Sequence, residues 1–155
     1  MKQVDLKPLI SSLSAFTKLA HPNKIVMVRN CESQGNLAGT ITGWMDVPLT
    51  DFGRKQAYTL SPALSEVNWS KIHCSDLRRS IDTTFYAMAF PDSESIAYSN
   101  KLREIHFGAQ EGLHFDTLPD SDKDKFADPN FKAEGGEGWI DVRKRTIEYL
   151  KPLSG

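Results

Sequence analysis

At 155 residues, 39% of them hydrophobic and 25% charged, the chain has the size and balance of one globular domain that buries roughly 68–70% of its unfolded surface. A formal net charge of −1 excludes a nucleic-acid mode built on a basic surface. No apolar run approaches the ~20 residues of a membrane-spanning helix.

Residues 1–23 read as an N-terminal extension. Leu6, Leu9, Ile10, Leu13, Phe16 and Ala20 recur at helical spacing, which predicts an amphipathic helix over residues 5–19. Lys2, Lys7 and Lys18 outnumber Asp5, as in a mitochondrial presequence, yet the stretch lacks arginine. The expectation is an uncleaved docking helix, packed on this domain or on a partner. The rest of the chain, residues 24–155, reads as one α/β domain.

The run Ile25-Val26-Met27-Val28 predicts a buried strand. Polar residues follow at once, Arg29-Asn30-Cys31-Glu32-Ser33-Gln34-Gly35-Asn36, and after them a loop carrying Thr42-Gly43-Trp44. Pro48-Leu49-Thr50-Asp51-Phe52-Gly53 leads into a helix over residues 54–65. Strand, polar loop and helix in this order build an anion site at the carboxyl end of a central strand. A guanidinium at position 29 can grip two phosphate oxygens at once, or it can pair with Glu32.

Further on, Lys71-Ile72-His73-Cys74 predicts a second strand, residues 76–89 a helix stopped by Phe90-Pro91-Asp92, and Ile96-Ala97-Tyr98 a short strand. Residues 113–136, with Pro119, Pro129, many aspartates and Gly135-Gly136, read as a long surface excursion. Residues 138–150 form a final helix. Cys31 and Cys74 fall at strand ends and read as reduced thiols of an intracellular protein, cytoplasmic by default with the mitochondrion as alternative. No His, Cys and carboxylate cluster has metal-ligand spacing, so neither metal nor cofactor is expected.

The segment Arg29-Asn30-Cys31-Glu32-Ser33 resembles the signature of the histidine phosphatase superfamily, the phosphoglycerate mutase-like proteins, in which the strand ends in Arg-His-Gly-Glu-Ser/Thr. Asn36, Thr42, Gly43, Trp44, Asp46, Leu49 and Gly53 keep the spacing of the cofactor-dependent mutases. Ser75-Asp76-Leu77-Arg78-Arg79 is similar to the family's Ser-x-Leu-x-Arg pattern. Leu102-Arg103-Glu104 through Phe107-Gly108-Ala109-Gln110-Glu111-Gly112 is similar to its Leu-x-Glu-x-x-Phe/Tyr-Gly-x-x-Glu-Gly segment. The resemblance implies a three-layer α/β/α sandwich with a mostly parallel sheet. It also implies phosphate contacts from Arg29, Asn36, Thr42, Gly43 and Arg79, with Glu104 at the position of the acid that protonates the leaving oxygen. Such an acid needs burial or a neighbouring anion to hold its proton. Glu104 can instead be a loop carboxylate paired with Arg103, and Arg78 and Arg79 can both decorate an exposed helix start.

Two departures separate the chain from that pattern. Asn30 stands where the family has its nucleophilic histidine, and an amide nitrogen has no free lone pair to offer phosphorus. Cys31 in the glycine slot is a weaker candidate than inert packing. The family's later strand, ending in His-Gly, has no counterpart before Gly155, so the sheet is expected to be incomplete at its C-terminal side. A fragment, a strand donated by another chain and a different closure are all consistent with this. The expected function is a catalytically inactive relative that keeps a pocket for a phosphate-containing small molecule and serves as a structural or regulatory subunit. The alternative is an active phosphatase on a phosphorylated metabolite or phosphoprotein. A mutase fits less well, because residues 119–128 are acidic where mutases carry a basic loop.

Overall fold

A computed structural model describes residues 25–65 and 67–153; the amphipathic segment expected over residues 5–19, and with it the 1–23 boundary, lies outside them. The elements in chain order are α1 (Gln34–Ala38), α2 (Asp51–Ser65), β1 (Ile72–Ser75), α3 (Arg78–Ala87), β2 (Ile96–Ser99), α4 (Asp120–Lys125) and α5 (Trp139–Leu150). Short 3-10 turns connect them. β1 and β2 pair in parallel, from Ile72 opposite Ile96 to Ser75 opposite Ser99. With α3 between them they form a β-α-β unit, since parallel neighbours need a crossover of helical length. The architecture is the α/β one with a parallel sheet that the resemblance implies.

Local chemistry explains the helix starts. Ser33, 1% exposed, caps α1: its hydroxyl accepts from the Asn36 N–H, and Asn36 Oδ1 accepts from the Ser33 N–H at 3.0 Å. Thr50 does the same for α2, accepting from the Gly53 N–H at 2.9 Å. A Cβ on Gly53 would lie 2.0 Å from the Glu32 carbonyl oxygen. Glycine is therefore what lets the start of α2 rest on the main chain that follows Arg29.

Among the described residues, packing forms two apolar clusters that share no residue. In the first, Ala57, Leu60 and Leu64 of α2 meet Ala87 of α3, with Cys31, Trp69, Tyr86 and Met88 around them. In the second, Ile105, Phe131 and Ala133 are flanked by Phe107, Phe126, Trp139 and Val142. The stretch expected as a surface excursion thus supplies Phe131 and Ala133 to an interior. Its prolines and aspartates are local turn formers, and they mask aromatics that pack at long range. Both cysteines are free, Cys74 buried and Cys31 half-buried.

Residues 25–28 depart most from expectation. They join no strand among the described residues, and Ile25, Met27 and Val28 are 61%, 83% and 47% exposed. A strand requires a second segment to receive its N–H and C=O groups. Among the described residues β1 pairs only with β2, and no segment bonds to residues 25–28.

Gly53→Ala tests the close approach to Glu32. Alanine normally favours a helix interior by about 1 kcal/mol over glycine; here both colliding atoms are main chain, and the substitution should instead destabilise by roughly 1–3 kcal/mol. Urea unfolding midpoints measure the sign.

Candidate functional site

The main chain leaving residue 28 borders a cavity of about 530 Å³. Arg29, Asn30, Cys31, Glu32, Asn36 and Gln56 line it above an apolar floor that includes Leu60 and Leu64. Asn36 is turned by its cap: Oδ1 is held by the Ser33 N–H and hydroxyl, and its Nδ2 donors have no protein partner among the described residues. Asn30 Nδ2 donates to the Cys31 carbonyl at 2.9 Å. Glu32 does not pair with Arg29. Its carboxylate accepts the Thr50 hydroxyl at 2.6 Å and its N–H donates to Gln56 Oε1. Arg29 is exposed and makes no hydrogen bond or ion pair among the described residues.

Arg79 is the opposite case, 4% exposed at the first turn of α3. Its Nη1 donates to the Met45 carbonyl at 3.0 Å and its Nη2 to the Gly43 carbonyl at 2.7 Å. Burial pulls its pKa below the ordinary value. The carboxylates of Glu104, Asp46 and Glu111 act against that, and the nearby charge of Arg29 acts with it. The two guanidiniums are therefore electrostatic neighbours. Arg78, by contrast, is exposed and pairs with Asp82. Two arginines opening a helix oppose its dipole unless an anion stands by. The chain supplies one itself: Asp46 Oδ1 accepts the Arg78 N–H at 2.6 Å.

The loop that receives Arg79 is tightly made. The Thr42 methyl lies over Gly35, and the Thr42 carbonyl accepts the Met45 N–H at 2.7 Å. Gly43 has φ +44°, a conformation that suits glycine. Trp44 Nε1 donates to the Glu104 carbonyl at 2.9 Å, and the indole carries Arg103 and His106 against it, each at 4.7 Å.

Glu104 itself is exposed, and its Oε1 accepts the adjacent Ile105 N–H at 3.1 Å. It does not pair with Arg103, which grips Asp76 through Nε and Nη2, both at 2.6 Å. Arg145 from α5 fastens the Glu104 carbonyl (2.9 Å) and the Lys101 carbonyl (2.8 Å). The same guanidinium pairs with Glu137, whose pKa burial would raise; the bonds from Arg145 and the His106 N–H outweigh it and hold the carboxyl low.

Of the residues singled out in the sequence, Arg29, Asn30 and Asn36 share the cavity. Thr42, Gly43, Arg79 and Glu104 do not line it; Arg79 is joined to Gly43 directly and to Arg29 through space. Sequence reasoning placed Asp46 and Glu111 in the family pattern without assigning them a role and did not single out the Glu137–Arg145 pair; all of them act on main-chain groups. Among the described residues, no three His, Cys, Asp or Glu side chains are grouped to hold a metal ion, and no helix is long and apolar enough to cross a membrane.

A family model described as histidine phosphatase superfamily (branch 1) matches residues 25–154. The 2,3-bisphosphoglycerate-dependent phosphoglycerate mutase of Lactococcus lactis subsp. cremoris is 37% identical over 133 residues, 83% of this chain and 52% of that protein. The glucosyl-3-phosphoglycerate phosphatase of Mycolicibacterium vanbaalenii is 28% identical over 134 residues, 84% of this chain and 59% of that protein. The chain thus spans a little over half the length of these curated relatives. Among solved structures, a phosphoglycerate mutase from Thermus thermophilus superposes with a TM-score of 0.68 at 34% identity, over 83% of this chain and 71% of that one. A mycobacterial glucosyl-3-phosphoglycerate phosphatase complexed with VO3 gives 0.73 at 26% identity, over 81% and 64%.

The Asp76–Arg103 pair predicts a pH dependence. Hydrogen bonding from Arg103 holds the Asp76 carboxyl below the usual carboxylate range. A depressed folded-state pKa contributes stability that is complete above the unfolded value near 3.9 and lost as pH falls through the folded one. Denaturation of Asp76→Asn below about pH 4 should show a shallower loss than the parent protein.

Proposed function

The chain belongs to the histidine phosphatase superfamily, and from that premise we propose that it is a phosphate-binding member that forms no phosphoenzyme at residue 30. The observation that carries this reading is the pairing of Asn30 with an unengaged Arg29. The asparagine amide sits in the cavity bonded to a backbone carbonyl, beside the Arg29 guanidinium and the Asn36 amide donors, which have no protein partner among the described residues. Such a set can bind phosphate oxygens, but an amide cannot carry the phosphoryl group. Cys31 is no substitute, since burial raises its pKa and keeps it a thiol. Loss of a catalytic nucleophile in a hydrolase lowers turnover by about a million-fold.

In this reading Arg29, Asn36 and Arg79 hold the phosphate, Thr42 and Gly43 shape the loop beside it, and Glu104 is a relic of the acid. The ligand is a small phosphate-bearing molecule. The relatives named as a mutase and a phosphatase favour the alternative, an active phosphatase. Assays of phosphoglycerates, sugar phosphates and phosphopeptides discriminate. The expected result is no turnover above blank, with millimolar phosphate raising the melting temperature in the parent and not in Arg29→Ala. Turnover abolished by Arg29→Ala would overturn the inactive reading, and no stabilisation by any anion would overturn the pocket.

The protein serves, in the same proposal, as a structural or regulatory subunit in an intracellular setting, and residues 25–30 are the edge where a second polypeptide adds a strand. Support comes from their exposed apolar side chains and from main-chain groups without backbone partners among the described residues. Hydrogen exchange reads this directly. Amides 25–30 should exchange unprotected in the isolated chain; protection there would mean that the edge is already covered.

A further inference from the structure

We propose that Glu111 is the positioning residue that aims Arg79, acting through the peptide bond between Gly43 and Trp44; its value to ligand binding rests on the phosphate-binding reading above. The Glu111 side chain is 13% exposed. Its Oε1 accepts the Trp44 N–H at 2.8 Å and the Phe107 N–H at 3.0 Å. One carboxylate oxygen thereby fastens the loop around Gly43 to the segment that follows Ile105. His106 Nε2 stands 3.8 Å from the same oxygen.

The grip falls on the peptide unit that holds Arg79. Its N–H belongs to Trp44 and its C=O to Gly43, and that C=O accepts Arg79 Nη2 at 2.7 Å. A peptide unit is planar, so fixing its N–H fixes the direction of its carbonyl. A bond to an anion also polarises the unit, which makes the carbonyl a better acceptor. The second acceptor, the Met45 carbonyl, lies on the same loop.

The loop is built around the carboxylate. A Cβ on Gly43 would stand 2.1 Å from Glu111 Oε1, so the anion can close on this peptide only where there is no side chain. The indirect link has a chemical consequence. A carboxylate bonded straight to Arg79 would occupy its donors, whereas Glu111 sits near the buried cation without bonding to it. Two of the five guanidinium N–H groups serve the carbonyls, and the others have no protein partner among the described residues.

Nitrogen-15 NMR of the full chain, with the Arg79 Nε–H signal identified by its loss in Arg79→Lys, tests the link. In phosphate-free buffer Glu111→Ala should shift the Trp44 and Phe107 amides and the Arg79 Nε–H together. Glu111→Gln, whose carbonyl preserves both bonds, should leave them near their parent positions. Titration with inorganic phosphate should then show at least about fivefold weaker binding in Glu111→Ala and about twofold or less in Glu111→Gln. A role in stability alone would lower the melting temperature and leave the Arg79 signal and the phosphate affinity where they were, and that result overturns the proposal. If the parent binds no phosphate, the ligand reading falls, and the Arg79 signal in phosphate-free buffer still decides the link. Should Glu111→Ala not fold, Glu111→Asp, one methylene shorter, is read in the same way.

Discussion

A guanidinium taken out of water must be satisfied by its surroundings, and Arg79 sets that condition for this fold. Leaving a charge buried and unanswered costs several kcal/mol. The chain answers with main-chain oxygens, which requires the 42–46 loop to fold onto the start of α3. Asp46, from the same loop, completes the start of α3, and Glu111 anchors the loop from the other side. Three stretches distant in sequence, around 43–46, 76–79 and 104–111, are thereby locked together about one cation. Arg29, the neighbouring cation, forms no ion pair among the described residues. The two positive groups lie near each other, and the carboxylates of Glu104, Asp46 and Glu111 stand about Arg79 without bonding to it among the described residues.

Much of this was legible in the sequence where the signal was local. The lead-in from Pro48 to Gly53 placed α2, expected over residues 54–65, and β1, α3, β2 and α5 followed to within a few residues. What the sequence did not carry was anything that depends on a distant partner. Four apolar residues at 25–28 have the pattern of a central strand, but pairing belongs to two segments and cannot be read from one. The short helix α1, closed by Ser33 and Asn36, was read as polar loop, because a five-residue helix has no hydrophobic period. Phe126 and Phe131 were hidden among turn-forming residues and emerge as core only once Ile105 is beside them.

The site was legible to a similar degree. The family pattern brought Arg29, Asn36 and Arg79 to attention, and the two ion pairs weighed as alternatives, Arg29 with Glu32 and Arg103 with Glu104, are not formed. Glu32 answers Thr50 and not Arg29; Arg103 answers Asp76 and not Glu104. Each carboxylate chose the partner that the tertiary fold brought within reach over the one adjacent in sequence. Asp46 and Glu111 were noted only as positions of the family pattern; their roles stayed hidden because they bind backbone amides, and any residue type can present those.

The two apolar clusters share no side chain, and between them run the contacts of Arg79, Trp44 and Glu111. Hydrogen bonds made by Arg79, Trp44 and Glu111 tie α3 and the 42–46 loop to the 104–111 segment, and a molecule seated on them would act as a weld. Its binding would be expected to make melting sharper as well as later, since the parts could then no longer come apart one before the other.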